Sequence, residues 1–305
     1  MKKSISLFCI ILSLYIVVVF VLDTPSVLAD GANDDLSANV TIGTSGPSVG
    51  AITCVDGATI TLNAETTKIL NCSATITDSN GYQDISSVRG TFYNSTTESE
   101  TGDTQDNYKN ATCAFTNAGS GTDRNIECTF TVWYHANPAD WTVYFNATDA
   151  GELTGNNTAT ITVNTLVALN VTESIIDFET VALGGTSNEI TTAIKNTGNV
   201  IIDLNINETL YNGYMNCTDA DSDDIQTDAA GTGIRYNTTA SFAFDDTSWN
   251  LTATNSLADV SWAESSDSGA PTAPTNNLYW LLKLPSSGLK GDCSTVVRIS
   301  AAQDA

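Results

Sequence analysis

The stretch "NTGNVIIDLNINETL", Asn196–Leu210, decides the fold of this chain because its apolar and polar residues alternate. Three apolar residues fall on one face of a strand and three polar residues on the other: Ile202, Leu204 and Ile206 against Asp203, Asn205 and Asn207. Alternation with a period of two is typical of a strand with one face on a core and the other solvated. The sequence predicts that this polar face meets water, sugar or a partner.

Alternating runs of the same kind recur along the chain and are separated by Gly, Asn, Asp and Ser turns. They include "KILNCSATITD", "IECTFTVWY" and "WTVYFNATD" between residues 51 and 164, and "EITTAIKNTG", "NLYWLLKL" and "TVVRIS" after residue 165. Short strands spaced by turns favour a β-sandwich, and a chain of 305 residues is long enough for two cores. We therefore predict an all-β protein of two tandem β-sandwiches, residues 51–164 and 165–305.

The first 29 residues have the form of a secretory signal peptide. Lys2 and Lys3 precede the largely apolar run Leu7–Leu22, and small residues at Val27 and Ala29 precede a predicted cleavage after Ala29. The apolar run is shorter than the roughly 20 residues that span a bilayer, which favours a cleaved signal over an uncleaved membrane anchor. Since no second apolar segment appears at the C-terminus, we expect no membrane span in the mature chain. Residues 30–50 are polar and Gly/Ser-rich apart from "NVTI", which predicts a flexible tail or an exchangeable strand.

The charge of the chain excludes one class of partner and favours another. With 11 Lys+Arg against 35 Asp+Glu, the formal net charge is −24 and the pI is about 4.1. Such a surface repels the phosphate backbone of nucleic acids. The same carboxylates supply oxygen ligands for hard cations such as calcium.

Two segments resemble known families of exterior proteins. "IDFETVALGGTSNEITTAIKNTGNVIIDLNI", Ile176–Ile206, resembles the opening strands of Ig-like modules of the abnormal-spindle/hydin type, with their Asp-Phe, Val, Gly and Asn-Thr-Gly-Asn landmarks. "CSATITDSNGYQDISSVRGTFYNS" and "CTFTVWYHANPADWTVYFNATD" are similar to Ig-like domains in surface proteins of archaea. These resemblances imply two Ig-like domains and a structural role outside the cell, without a reaction.

Six cysteines remain after the signal peptide, which predicts disulfides in a secreted protein: Cys54, Cys72, Cys113, Cys128, Cys217 and Cys293. Alternation places Cys72 and Cys128 on the inward faces of different strands. Their separation suits the inter-sheet bridge of an Ig-like sandwich. We therefore predict the pairs Cys72–Cys128, Cys54–Cys113 and Cys217–Cys293. The rival is local pairing, Cys54 with Cys72 and Cys113 with Cys128.

Candidate modification sites are numerous. Asn-x-Ser/Thr sequons occur at Asn39, Asn71, Asn94, Asn110, Asn146, Asn156, Asn170, Asn207, Asn216, Asn237 and Asn250. The strand pattern turns Asn71, Asn146 and Asn207 outward, and with a signal peptide the sequons predict N-glycosylation at several sites.

Two acidic loops are candidate calcium sites, since calcium binds six to eight oxygens. In "DSNGYQD" the candidate ligands are Asp78, Asn80 and Asp84, although Asn80-Gly81 is also an ordinary turn signal. In "DADSDDIQTD" Asp219, Asp221 and Asp223 have the 1, 3, 5 spacing of an EF-hand loop. However, Asp224 replaces the required Gly, and Ala230 replaces the bidentate Glu. Apart from calcium, we expect no cofactor.

No pattern in the chain marks a catalytic site. His135 is the only histidine, and its setting before Asn137-Pro138 indicates a hairpin loop. We therefore expect a secreted, non-enzymatic structural or adhesive cell-surface protein that associates with itself or with other surface components, and that forms filaments or lattices by strand addition. The alternatives are a carbohydrate- or protein-binding module and, more distantly, a secreted hydrolase.

Overall fold

A computed structural model of the chain describes residues 37–94, 102–219, 222–244, 249–266 and 271–304. These residues form strands and loops and contain no helix, so the all-β prediction is confirmed. The described part accordingly holds no helix of the length and apolarity that a membrane crossing requires. The predicted signal peptide, residues 1–29, lies outside the described residues.

Among the described residues, ten strands precede residue 165. They are β1 Ser48–Val49, β2 Thr53–Cys54, β3 Thr59–Ile60, β4 Thr67–Thr77, β5 Ile85–Tyr93, β6 Asn107–Asn110, β7 Ala114–Phe115, β8 Asp123–Trp133, β9 Ala139–Asp149 and β10 Thr154–Val163. The first of them, β1, falls within the predicted tail and pairs with β4.

Eleven strands follow in the described C-terminal half. They are β11 Leu169–Val171, β12 Ile190–Asn196, β13 Ile202–Glu208, β14 Tyr214–Cys217, β15 Ile225–Gln226, β16 Gly233–Asn237, β17 Trp249–Asn250, β18 Ser256–Trp262, β19 Thr275–Lys283, β20 Cys293–Ser294 and β21 Val297–Gln303.

The N-terminal half has two sheets around one apolar core. One sheet has the order β1-β4-β8-β7, with β2 also paired to β4, and the other has the order β3-β10-β9-β5-β6. The long strands β4, β8 and β9 alternate between buried and more exposed residues, as their sequence pattern predicts. At the centre, the ring of Phe92 lies 4.6 Å from that of Trp141 and 6.0 Å from that of Phe130, centroid to centroid. Aromatic burial of this kind is a major source of core stability.

The C-terminal half has a second, separate core. A five-stranded sheet of order β11-β12-β19-β16-β17 and a three-stranded sheet of order β18-β13-β21 both contribute to it. Trp280 and Ile194 come from the first of these sheets, while Leu204 and Ile206 come from the second. A small ribbon of order β15-β14-β20 lies beside them.

The prediction that the polar face of β13 is exposed is wrong at two of its three residues. Ile202, Leu204 and Ile206 are buried as expected, but Asp203 is 5% exposed and Asn207 is 9% exposed. Neighbouring segments cover this second face: Asp203 Oδ1 accepts hydrogen bonds from the backbone N–H groups of Val260 and Ser261, at a bulge between β13 and β18. The intervening Asn205 is half-buried, so the polar face of β13 meets protein at Asp203 and Asn207 and stays partly accessible at Asn205.

Two of the three predicted disulfide pairs are wrong, and the local alternative is found. Cys54 bonds Cys72 and Cys113 bonds Cys128, while the predicted Cys217–Cys293 bond is confirmed. Cys72 and Cys128 do point into the core from different strands, but β4 and β8 are neighbours in one sheet, so no inter-sheet bridge forms between them.

The Asn-Thr-Gly-Asn sequence after β12 joins the two halves. The Asn199 side chain is 1% exposed and its Nδ2 donates to the carbonyl oxygens of Ala136 and Asn164. Its Oδ1 accepts a hydrogen bond from the backbone N–H of Leu166. A Cβ at Gly198 would lie 2.1 Å from the Leu166 carbonyl oxygen, so the close approach leaves no room for a side chain there.

Candidate functional sites

An open groove of about 1070 Å³ lies in the C-terminal half. Its walls come from residues 173–183 between β11 and β12, and from residues 289–299, which include β20 and the start of β21. Its apolar lining includes Ile176, Phe178, Val181, Met215, Ile225, Trp280, Leu289, Val296 and Ile299. Charged residues such as Asp177, Asp292 and Arg298 also line it, so its walls are both polar and apolar. A concavity of this size is a candidate binding site for a ligand or a peptide.

Strand β21 forms part of the groove and is an edge strand. It pairs with β13 over all seven of its residues, and no other strand of the described residues pairs with its second edge. Val296, just before β21, is 49% exposed at the groove. Unpaired N–H and C=O groups along an edge strand can accept a strand of another chain.

The turn after β13 is connected by hydrogen bonds to Thr295 in the wall of the groove. The Glu208 carboxylate is 1% exposed and accepts hydrogen bonds from the backbone N–H groups of Leu210, Tyr211 and Gly213 and from Thr295 Oγ1. Burial acts to raise the pKa of Glu208, but the hydrogen bonds from Gly213, Thr295, Tyr211 and Leu210 outweigh it, so the pKa lies below its usual value. The charged carboxylate therefore holds the turn after β13 in place.

The segment before β1 carries exposed apolar side chains. Residues 37–43 have no assigned strand, and Val40 and Ile42 are 85% and 79% exposed. They alternate with the polar residues Asn39 and Thr41, and β-branched residues in this pattern favour an extended strand.

A compact acidic cluster lies at one end of the N-terminal half. Carboxylate oxygens of Asp78, Asp84 and Asp149 all lie within 4.8 Å of one another. Asp78 is 0% exposed and Asp149 is 2% exposed. The Oδ2 atoms of these two residues are buried and have no hydrogen-bond partner.

Local backbone turns place these three carboxylates together. Asp78 follows β4, and its Oδ1 accepts a hydrogen bond from the Asn80 N–H in a turn closed by Gly81. Asp84 precedes β5, and its carbonyl oxygen accepts a hydrogen bond from the Ala150 N–H just after β9. Asp149 ends β9, and its Oδ1 accepts a hydrogen bond from the Leu153 N–H. Since β4 belongs to one sheet and β5 and β9 to the other, the cluster connects the ends of both sheets.

Two of the three candidate ligands predicted in this loop lie together in the structure. Asp78 and Asp84 do come together, while Asn80 Oδ1 accepts a hydrogen bond from the Ser45 N–H at 2.7 Å. Asp149 was missed because it lies 65 residues beyond Asp84, and only the pairing of β5 with β9 brings it close. A carboxylate that directly follows a buried strand, as in "YFNATD", is the one signal that points to it.

The second predicted calcium loop gains no support from the described residues. Asp221 lies outside them, Asp219 and Asp223 join no group of three close acidic residues there, and Asp224 Oδ1 accepts a hydrogen bond from the Cys217 N–H. A different acidic group contains Asp203, Asp259 and Asp304. It differs from the first cluster because Asp259 is exposed and Asp203 Oδ1 accepts two backbone hydrogen bonds.

The sequons differ widely in accessibility. Asn39, Asn156, Asn170, Asn216 and Asn250 are exposed, and Asn71, Asn94, Asn110, Asn146 and Asn237 are half-buried. The outward orientation predicted for Asn207 is wrong: its Nδ2 donates to the carbonyl oxygens of Glu208 and Ala253. The Nδ2 atom that would carry a glycan is therefore enclosed in the fold.

The single histidine lies in the loop between β8 and β9, and its side chain is fully buried. The predicted hairpin is wrong, because β8 and β9 belong to different sheets. The histidine ring contacts that of Tyr134 edge to face, with centroids 5.7 Å apart. Within the described residues, His135 belongs to no metal-ligating group.

Comparison with known proteins finds no family for this chain. No protein-family model and no curated protein matches it. Among solved structures, a secreted serine protease, VesC, from Vibrio cholerae aligns at 12% identity and a TM-score of 0.21, over 82% of this chain and 50% of that one. The chain thus spans half the length of that structure.

Two other solved structures align equally weakly. One is described as BspA_C_WT, with 11% identity, a TM-score of 0.24 and coverage of 85% of this chain and 96% of that one. The other is an Escherichia coli alpha-2-macroglobulin activated by porcine elastase, with 9% identity, a TM-score of 0.22 and coverage of 88% and 23%. Likenesses this weak define neither a family nor an activity.

Proposed function

We propose that this chain is a secreted, non-enzymatic structural component of a cell surface that assembles by strand addition between copies. The observation that carries the proposal is the groove, part of whose wall is the start of the edge strand β21. The occupant we assign is the segment of residues 37–43 from a second copy.

The setting of the protein supports this role. Three disulfides are typical of proteins that work in an oxidising environment outside the cytoplasm. The formal net charge of −24 keeps such a protein soluble before it assembles.

The segment and the edge match in length and pattern. Residues 37–43 are seven residues long, and so is β21. Paired with the edge of β21, the segment would gain backbone hydrogen bonds, while Val40 and Ile42 on one of its faces enter the groove. Burial of two such side chains contributes about 1.5–3 kcal/mol each.

Each copy carries both the segment and the groove, so the contact is heterologous. Contacts of this type generate rings when the rotation between copies closes and filaments when it does not. The exposed sequon at Asn156 lies on β10 in the N-terminal half, so a glycan there is compatible with assembly at the groove.

The test is light scattering and electron microscopy of the secreted mature protein over a range of concentrations. Deletion of residues 30–43 keeps β1 and should leave thermal unfolding unchanged while abolishing oligomers. Two further variants should also abolish the oligomers: Val40→Asp with Ile42→Asp on the segment, and Val296→Asp at the groove. In each, a carboxylate would be buried in the contact at a large desolvation cost.

A matched control is an exposed valine that lies outside the proposed contact. Val55 is 81% exposed and belongs to neither the segment nor the groove, so Val55→Asp should leave the oligomers intact. Wild-type protein that stays monomeric at every concentration, or oligomers that persist after the deletion, would overturn the proposal.

The alternative function, a binding module, rests on the same groove. Its lining combines aliphatic and aromatic side chains with charged ones, which suits an amphipathic peptide of another protein. A monomeric wild type that binds a foreign amphipathic peptide, with binding lost in Val296→Asp, would favour this alternative.

A further inference from the structure

Within the part of the chain that the structure describes, no basic side chain neutralises the acidic cluster at the end of the N-terminal half. Asp78, Asp84 and Asp149 form no ion pair with a lysine or arginine of the described residues. The two described side-chain ion pairs, Lys68–Asp56 and Lys195–Glu65, lie elsewhere. Unpaired carboxylates in a protein interior cost several kcal/mol each, and their mutual repulsion within 4.8 Å adds to this cost.

The backbone of the cluster is built to keep the carboxylates in place in spite of that repulsion. Asp78 Oδ1 and Asp149 Oδ1 are each fixed by a backbone N–H, at 2.8 and 2.7 Å. Their Oδ2 atoms stay buried and unpartnered, and carboxylate oxygens of both residues lie within 4.8 Å of one from Asp84. Buried polar atoms in native proteins are nearly always satisfied, so these two atoms point to a missing ligand.

We propose that Asp78, Asp84 and Asp149 bind a calcium ion. Three carboxylates supply only hard oxygen ligands, which suit calcium or magnesium better than zinc, whose sites use histidine and cysteine. Magnesium requires near-ideal octahedral geometry and keeps several waters, which a site with two fully buried carboxylates does not favour. Calcium accepts irregular geometry and gives up its waters more readily.

The ion would act as a staple between the two sheets. Asp78 comes from the end of β4 in one sheet, whereas Asp84 and Asp149 come from the ends of β5 and β9 in the other. The same loop holds the segment that leads into β1, through the hydrogen bond from the Ser45 N–H to Asn80 Oδ1. Calcium binding would therefore stabilise the N-terminal half and the root of its first strand.

The site stands independently of assembly, so it is tested on the full mature protein by calorimetric titration and thermal unfolding. We expect one calcium ion with a Kd on the order of 10⁻⁴–10⁻³ M, as in other extracellular modules, and weaker binding of magnesium. Millimolar calcium should raise Tm by a few degrees over the value in EDTA, because only the folded state binds the ion.

The decisive variant is Asp149→Asn, because Oδ1 can still accept the Leu153 hydrogen bond while the negative charge is lost. We expect its calcium affinity to fall at least about tenfold. In EDTA its Tm should equal or exceed that of the wild type, because one repelling charge is gone. In calcium its Tm should be lower than that of the wild type, because it binds the ion more weakly. This reversal in sign is specific to a cation site and separates it from a general folding defect.

Two further variants keep the test decisive. Asp84 is half-buried, so Asp84→Asn should fold even if Asp149→Asn does not, and it should lose calcium affinity. Asp259→Asn, in the other acidic group, is the matched control and should bind as the wild type does. No calcium-dependent change in heat or Tm, or an unchanged affinity in both cluster variants, would overturn the proposal.

Discussion

The two halves of the molecule enclose their cores in different ways. In the N-terminal half, two five-stranded sheets surround a core centred on touching aromatic rings. In the C-terminal half, a five-stranded sheet shares its core with a three-stranded sheet and a short ribbon, and a groove of about 1070 Å³ opens beside the start of β21.

This difference suggests that the N-terminal half provides a rigid framework and the C-terminal half an interaction surface. The filled core and the acidic cluster of the N-terminal half favour a fixed geometry, because close-packed interiors resist deformation. The C-terminal half leaves apolar surface and an unpaired strand edge accessible, and such surface marks interaction sites. Asn199, buried between the halves, connects the two.

The largest effect that tests this comparison comes from the disulfides. Cys217–Cys293 closes a separation of 76 residues in the open half, and Cys54–Cys72 closes one of 18 residues in the filled half. In the chain-entropy account, removing the first by a double Cys→Ser change should cost about 4.5 kcal/mol, and removing the second about 3 kcal/mol.

Denaturant unfolding of the two double variants measures both costs. The m-value of each variant serves as the control, because an altered m-value would indicate that the denatured state has changed as well. Equal losses, or a larger loss for the Cys54–Cys72 variant, would contradict the view that the open half relies more on its covalent link.

The disulfides also show how far the sequence determines this fold. Alternation places Cys72 and Cys128 inward, which is correct, but it carries no information about which strands are neighbours. Their strands pair side by side in one sheet, and each cysteine bonds a nearer partner: Cys72 bonds Cys54 of the neighbouring β2, and Cys128 bonds Cys113 just before β7. The same reason explains Asp149, which joins Asp78 and Asp84 only through strand pairing. Local patterns predict faces and turns, whereas contacts between distant segments depend on topology.

A medium effect is expected at Glu208, which supports the rim of the open half. Glu208→Gln keeps the size of the side chain but removes the charge that four hydrogen bonds stabilise. We expect a loss of about 2–3 kcal/mol in the free energy of unfolding, the range for hydrogen bonds to a charged group. Glu179→Gln, at an exposed position, should change it by less than about 0.5 kcal/mol.

The pH dependence of this effect has a definite sign. Because the pKa of Glu208 is lower in the folded state, the carboxylate stabilises the fold above the unfolded-state pKa, and this stabilisation is lost as pH falls through the folded-state pKa. Unfolding measured from neutral to acidic pH should therefore show a smaller difference between the wild type and Glu208→Gln as the pH falls. A difference that is constant or grows towards acidic pH would contradict this account.

The smallest expected effects come from variants on the polar faces of two alternating strands. One strand is β10 in the filled half, and the other is β13 in the open half. Asn156 lies on the exposed face of β10, whereas Asn207 lies on a face of β13 that neighbouring segments cover. In a secretory host that glycosylates, Asn156→Gln should lose one glycan and keep the wild-type Tm. Asn207→Gln should lose no glycan, yet it should lower the free energy of unfolding by about 1 kcal/mol, because the hydrogen bonds to Glu208 and Ala253 are disturbed. Mass spectrometry of the glycopeptides provides the measurement, and a glycan on Asn207 would show that the covered face of β13 opens during folding or in solution.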